Sequence, residues 1–215
     1  MSASAFGAGR VGTPSTSEVY ITDKLWQRAT LIACPWHPDG GCGFARHGTY
    51  RRVKPADTYV ARWYCPTARH TVSALPDFLA SHRSGTLDEC EAVLCTVESA
   101  ASIESACWDL RNEIELPGVL RYVARLLRDI YRALSAIKGL FPLLITCEPN
   151  VTDFSVLLDT PSVLMQLRSI ASQFLPQLPT PLGFNPSRDT RQKSQQPFQH
   201  RVGRDPPVAF VETVH

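Results

Sequence analysis

The sequence predicts a mainly α-helical protein with a small β module near its N terminus and with disordered termini. Three observations lead to this fold class. Cysteine and histidine residues bracket a short segment, residues 31–74, that alternates as β-strands do. From about residue 86 onward, apolar residues recur every three or four positions, as in amphipathic helices. Seven of the seventeen prolines lie from residue 176 to the end, where apolar periodicity stops.

The β module contains five residues that can ligate a metal ion. Cys34, His37 and Cys42 lie close together, and Cys65 and His70 follow near the end of the module. A small β-hairpin buries too little apolar surface to be stable alone, and a zinc ion held by four tetrahedral nitrogen or sulfur ligands is a common staple. We therefore predict a zinc ribbon with one Zn²⁺ at Cys34, Cys42, Cys65 and His70. His37 is the alternative to Cys42, which we favour because thiolate is the softer ligand.

These patterns divide the chain into four parts. Residues 1–30 are expected to form a flexible N-terminal segment, and residues 31–74 the zinc-ribbon-like module. Residues 75–175 are expected to form a helical bundle, and residues 176–215 a Pro-rich, mostly disordered tail.

Charge is segregated along the chain. Residues 43–70 contain six Lys or Arg and one acid. Residues 76–116 contain two Lys or Arg and nine acids, and residues 117–140 contain five Lys or Arg and one acid. A net charge of +2 gives no general attraction to phosphate, so the basic segments indicate contact with a polyanion through particular faces. Arginines and aromatic residues interleave in the first basic segment. The predicted phosphate contacts there are Arg46, Arg51, Arg52 and Arg62. The alternative is that the aromatic residues pack a small core and the arginines only solvate it.

The helical region opens with a capping box, in which Thr86 is followed three residues later by Glu89. Ser102 is predicted to cap a second helix, and a third extends from about residue 117 to residue 140. A short helix, a turn and a helix that presents arginines is the arrangement of a helix-turn-helix, so residues 86–140 are predicted to resemble one. The predicted groove-facing residues are Arg121, Arg125 and Arg128. Because the third helix exceeds a usual recognition helix in length, a packing helix in a bundle is the alternative.

These motifs together resemble the zinc ribbon at the start of bacterial insertion-element transposases and of their small DNA-binding accessory proteins. The resemblance covers about residues 32–140, and its most specific part is Arg46 to Leu79. In those proteins a ribbon that ends in Tyr-x-Cys-x-x-Cys leads into a helix-turn-helix. Here Ala68 replaces the last cysteine of that motif. The resemblance implies DNA binding at element ends or at a promoter, and it does not imply catalysis. The expected partners are duplex DNA and a transposase or a second copy of the chain.

Patterns typical of enzymes are missing from the sequence. It contains no Gly-rich phosphate loop, no zinc-protease helix motif and no nucleophile elbow. The helical region also offers no α/β core for the three carboxylates that two-metal strand transfer requires. We therefore expect a DNA-binding protein of a mobile element rather than an enzyme. The alternative is a zinc-stabilised protein-interaction module without direct DNA binding.

The expected location is the bacterial cytoplasm, in association with the nucleoid when DNA is bound. Seven cysteines in a chain of 215 residues do not indicate a secreted disulfide scaffold. The longest apolar stretch, residues 139–145, is too short to cross a bilayer, so no membrane contact is expected.

Overall fold

The computed structural model describes residues 17–112 and 118–185. Within these ranges the chain forms one three-stranded antiparallel sheet and six α-helices, which confirms the predicted mainly α-helical composition. No helix in the described ranges is both long enough and apolar enough to cross a bilayer. The elements are α1 (Ser17–Thr22), β1 (Ala45–Arg51), β2 (Tyr59–Cys65), β3 (His70–Ala74), α2 (Leu87–Ser99), α3 (Ile103–Asp109), α4 (Val119–Leu140), α5 (Val151–Leu158) and α6 (Val163–Ile170).

The sheet has the strand order β1-β2-β3 and presents two different faces. On the central strand β2, Ala61, Trp63 and Cys65 of one face are buried, whereas Arg62 and Tyr64 of the other face are half-buried. Val60, at the start of that second face, is buried as well. This alternation is the one predicted for a β-ribbon, because successive side chains of a strand point to opposite faces. The register between β1 and β2 is interrupted by a bulge between residues 46 and 49.

The helices follow the local signals in the sequence. The Thr86 hydroxyl accepts a hydrogen bond from the Glu89 N–H at 3.0 Å, and the Glu89 carboxylate accepts one from the Thr86 N–H at 2.8 Å, so the predicted capping box is present. Helix α4 is the longest, with 22 residues, and it packs against the core through one apolar stripe. The buried residues of that stripe are Val119, Val123, Leu126, Leu127, Ile130, Ala133, Leu134 and Ile137.

Two acids of α2 have a structural role at the start of later helices. The Glu91 carboxylate accepts hydrogen bonds from the first two backbone N–H groups of α6, at 2.9 Å each. Glu98 accepts from the first two N–H groups of α5, at 2.9 and 2.8 Å. A carboxylate at a helix N terminus satisfies unpaired donors and complements the helix dipole. Part of the acidic segment therefore stabilises the packing of the bundle.

The predicted boundary at residue 30 is wrong for the described part of the N-terminal segment. Tyr20 and Trp26 are buried, and the Tyr20 hydroxyl donates to the Tyr59 carbonyl at 2.9 Å. The same hydrophobic core contains Trp63 of the sheet and the buried stripe of α4. The sheet and the helices therefore share one core, because the sheet alone is too small to bury these aromatic rings. The expectation of flexibility for residues 1–16 lies outside the described residues.

The predicted boundary at residue 176 is also wrong, because residues 176–185 pack into the core. Leu178, Leu182 and Phe184 are buried. Arg168, only 1% exposed, donates to the carbonyls of Leu182 and Pro181 at 2.8 and 2.6 Å. Its guanidinium also donates to the carbonyls of Asp77 and Leu79 at 2.7 and 2.6 Å, so it joins this segment to the chain after the sheet. The expectation of disorder for residues 186–215 lies outside the described residues.

Candidate metal centre

Three cysteines and one histidine meet where the first loop contacts the end of the sheet. The ligand atoms of Cys34, His37, Cys42 and Cys65 all lie within 4.8 Å of one another. His37 Nδ1 is 3.6 Å from Cys34 Sγ and 3.5 Å from Cys65 Sγ. The cysteines are buried and the histidine is half-buried. This arrangement can hold a metal ion.

The loop is folded so that it contributes three of the four groups. The N–H of His37 bonds to the Cys34 carbonyl at 3.2 Å, and the N–H of Gly40 bonds to the His37 carbonyl at 3.0 Å. Gly40 and Gly41 have φ values of 88° and 76°, a region that favours glycine, and they return the chain towards the cluster at Cys42. We expected two ligands from each of two turns. The structure instead combines three groups of one loop with Cys65 at the end of β2.

The backbone around the cluster donates to the sulfur atoms. The N–H of Ala68 lies 3.3 Å from Cys65 Sγ. Because this contact uses the backbone of Ala68, the missing fourth cysteine of the second turn does not disturb the turn itself. Burial raises the pKa of the Cys34 thiol, but hydrogen bonds from His37, from the Trp36 N–H and from Cys65 outweigh it and lower that pKa to about 7. A thiol that deprotonates readily suits metal ligation, since the thiolate is the ligand.

His70, part of the favoured ligand set, lies outside the cluster. It pairs with Cys65 in the register of β2 and β3, and its ring packs against Trp36 at a tilt of 42°, with 5.1 Å between ring centroids. His37 occupies the fourth position instead, together with Cys42 rather than in its place. The physical reason is the tight turn that begins at Cys34, which brings the His37 ring back over the two sulfur atoms.

The arginines predicted to contact phosphate in and beside the sheet make different contacts within the chain. Arg46 donates to the carbonyls of residues 26 and 27 at 2.6 and 2.7 Å, and Arg52 donates to the carbonyls of residues 80 and 83, the first at 3.1 Å. These two guanidinium groups brace the sheet against neighbouring loops. Arg51 forms an exposed ion pair with Asp57 at 2.9 Å. Arg62 lies over the ring of Tyr50, with 5.7 Å between its guanidinium carbon and the ring centroid.

The predicted groove-facing arginines form one exposed row on α4. Arg121, Arg125 and Arg128 are exposed, and Arg132 extends the row by one turn. The acid on this helix, Asp129, forms an ion pair with Arg83 and lies 3.6 Å from the Arg128 guanidinium.

Arg83 adds a cation beside this row that sequence reasoning missed. It donates to the Arg125 carbonyl at 3.2 Å as well as to Asp129. Arg83 precedes α2, and no local pattern in the sequence places it near α4. The helices α3 and α4 are consecutive, as a helix-turn-helix requires, but the link at residues 113–117 lies outside the described residues, so that motif stays a prediction.

Comparison with known proteins found no match among protein-family models, curated proteins or solved structures. The cysteine–histidine cluster and the exposed basic faces are therefore the observations that bear on function.

Proposed function

We propose that the chain is a zinc-stabilised DNA-binding protein of a mobile genetic element, transposase-related or accessory, which works in the bacterial cytoplasm. The observation that carries this proposal is the exposed arginine row of α4, formed by Arg121, Arg125, Arg128 and Arg132. The row is the surface that would contact duplex DNA, and the metal centre would stabilise the ribbon.

Two distances within the cluster, from His37 Nδ1 to the Sγ atoms of Cys34 and Cys65, match those of a tetrahedral zinc ion. Zinc binds thiolate sulfur at about 2.3 Å and imidazole nitrogen at about 2.0 Å, so a tetrahedral site separates nitrogen from sulfur by about 3.5 Å. The two distances from His37 Nδ1, 3.6 and 3.5 Å, agree with this value. Three cysteines and one histidine are also a common ligand set of structural zinc sites. When bound, zinc would link the loop at residues 34–42 to the end of β2 and so stabilise the ribbon.

The geometry of α4 suits a phosphate-contacting surface. The four arginines are spaced by four, three and four residues, which at about 1.5 Å per residue places them along about 16 Å of the helix. They lie on the side opposite the buried stripe. An α-helix fits into a major groove about 12 Å wide, and arginine forms paired hydrogen bonds with phosphate and with guanine.

The nearby acids leave most of this positive charge uncompensated. Glu91 and Glu98 of the acidic helix α2 are bound to helix N termini. Asp129 is paired with Arg83 and, within the row, contacts only Arg128, at 3.6 Å among the described residues. The proposed duplex interface excludes Arg46 and Arg52, because their guanidinium groups already bond to backbone carbonyls.

The test is duplex binding by the full chain over a range of salt concentrations, measured by fluorescence anisotropy. The triple variant Arg121→Gln/Arg125→Gln/Arg128→Gln should bind more weakly. The slope of log affinity against log salt concentration should become shallower by about 2 to 3 units in this variant, because each lost phosphate contact removes about 0.9 from the slope.

The matched control removes three exposed cations elsewhere, in the variant Lys24→Gln/Arg28→Gln/Arg69→Gln. This control should keep a slope within about one unit of the unmodified chain. The proposal is overturned if the unmodified chain does not bind duplex DNA at low salt, or if both triple variants lose affinity equally.

A protein-interaction module is the second candidate, and one exposed side chain favours it. Trp108 on α3 is 66% exposed, and the Arg111 guanidinium lies over its ring at 4.1 Å. Tryptophan and arginine are enriched among the residues that dominate protein interfaces. Absence of duplex binding at low salt, together with one zinc ion per chain, would favour this module, with a transposase or a second copy of the chain as its partner.

A further inference from the structure

We propose that the outer face of the sheet binds single-stranded DNA by stacking unpaired bases on its aromatic rings. This inference rests on the proposed DNA-binding function and assigns a second surface, separate from α4, to unpaired nucleotides. The surface, called the aromatic face below, consists of His47, Tyr50, Arg62 and Tyr64.

The strand register brings these residues together. Tyr50 of β1 is opposite Val60, and Arg62 and Tyr64 follow Val60 at alternate positions of β2, so these residues share one face of the sheet. That face is covered by the core at Val60 and becomes half-buried at Arg62 and Tyr64. The His47 and Tyr64 rings lie 5.5 Å apart, at an angle of 41°. Arg62 lies over Tyr50. The result is a row of rings with a cation among them.

Packing of the core accounts for only part of this row. His47 is exposed and Tyr64 is half-buried. Neither is among the described residues that pack against the hydrophobic core, whereas Tyr50 packs partly against it. The rings of His47 and Tyr64 therefore cover little of the interior and remain accessible to a ligand.

The charge of the aromatic face complements a polyanion. Arg62 forms no ion pair among the described residues, and its buried Nε has no hydrogen-bond partner there. Residues 43–70 contain one acid, Asp57, and it is paired with Arg51. Thr71 and Ser73 of β3 are opposite Tyr64 and Arg62, so their hydroxyl groups add hydrogen-bonding capacity to the same face.

The spacing of side chains along β2 favours a single strand over a duplex. Arg62 and Tyr64 are two residues apart on one face of the strand, so they are separated by about 7 Å, about twice the 3.4 Å step between bases of one strand in B-DNA. In a duplex the neighbouring pairs cover the faces of each base. A single strand can extend and unstack, so that its bases lie on successive rings, as they do on other aromatic-lined, positively charged single-strand surfaces.

The test compares two probes with the full chain, each labelled with fluorescein. One is an oligothymidine of about 12 nucleotides, and the other is a mixed-sequence duplex of about 12 base pairs. The variant Tyr64→Leu should weaken oligothymidine binding by about 5- to 150-fold, the range expected for loss of one stacked base. It should leave duplex affinity within about twofold. Arg62→Gln should lower the single-strand salt slope by about 0.7.

A matched control removes an exposed aromatic ring outside the sheet, by the substitution Trp108→Ala, and should leave oligothymidine affinity unchanged. If Tyr64→Leu lowers the melting temperature, His47→Ala provides a second test, because His47 is exposed and its loss should weaken oligothymidine binding without unfolding the sheet. Equal oligothymidine binding by the unmodified chain, Tyr64→Leu and His47→Ala overturns the inference. The inference is also overturned if the unmodified chain binds the duplex but not oligothymidine, although that result leaves the proposed function intact. A chain that binds neither probe overturns both.

Discussion

Replacing His37 and His70 separately with alanine distinguishes the observed ligand set from the one that the sequence favoured. His37 Nδ1 lies within 3.6 Å of two sulfur atoms, whereas the His70 ring packs against Trp36. Structural zinc sites with four ligands have apparent binding free energies of about 10 to 16 kcal/mol near neutral pH. One of four ligands therefore contributes about 2.5 to 4 kcal/mol, or about 60- to 700-fold in affinity. His37→Ala should lose this amount, and His70→Ala should change the affinity less than about threefold.

The assay is competition for zinc between the apo chain and a chromophoric chelator of known affinity. Cobalt substitution adds an independent readout, because a tetrahedral site with thiolate ligands gives strong visible absorption. His37→Ala should change that spectrum, and His70→Ala should preserve it. The assignment is refuted if His70→Ala loses as much affinity as His37→Ala, or if His37→Ala binds zinc as the unmodified chain does.

Three further predictions concern the fold. Arg168→Met leaves the carbonyls of residues 77, 79, 181 and 182 without their buried donor. Because each buried carbonyl left unsatisfied costs about 1 to 3 kcal/mol, the free energy of unfolding in urea should fall by about 3 kcal/mol or more, and a loss below about 1 kcal/mol would contradict this role. Thr86→Ala removes the capping box of α2 and should cost about 1 kcal/mol in the same assay, whereas an unchanged midpoint would show that the cap contributes nothing. Burial raises the pKa of Cys90 in the folded chain from 9.0 to about 11. Because the thiol keeps its proton more tightly in the folded state than in the unfolded state, its contribution to stability is complete below pH 9 and is lost as the pH rises through 11. The decline in stability over that range, measured by urea unfolding at several pH values, should be smaller in Cys90→Ala, and an identical decline would contradict the assignment.

The helices were predictable because their signals are local. Thr86 and Glu89 are three residues apart, and the stripe of α4 repeats within each pair of turns. Each such pattern reflects groups that are neighbours once a helix forms, whatever surrounds it. The four candidate metal ligands were also all named from the sequence, because cysteine and histidine are scarce and chemically distinctive.

The choice between His37 and His70 could not be made from the sequence alone. Both residues are close to a cysteine along the chain. The difference arises from the turn at Cys34 and from the ring of Trp36, which packs against His70. These contacts are set by how the loop at residues 34–42 meets the end of the sheet.

Roles that depend on distant contacts were missed. Arg168 has four carbonyl partners, which come from two separate segments of the chain. Residues 176–185 are held in place by hydrogen bonds to that arginine and by packing against the core. The prediction of a flexible segment at residues 1–30 fails over its described part, residues 17–30, for a similar reason, since Trp26 is buried against the sheet. Arg46 and Arg52 are basic residues near aromatic ones in the sequence, and only the fold shows that they bond to carbonyls.

The zinc content of the purified 215-residue chain tests the central claim most directly. Metal analysis by mass spectrometry, combined with quantitative amino-acid analysis, gives the number of ions per chain. We predict one zinc ion per chain in the unmodified protein and close to none in Cys65→Ser, because Cys65 is the group that the sheet contributes to the cluster. Zinc content near zero in the unmodified protein, or an unchanged content in Cys65→Ser, would contradict the metal-stabilised ribbon.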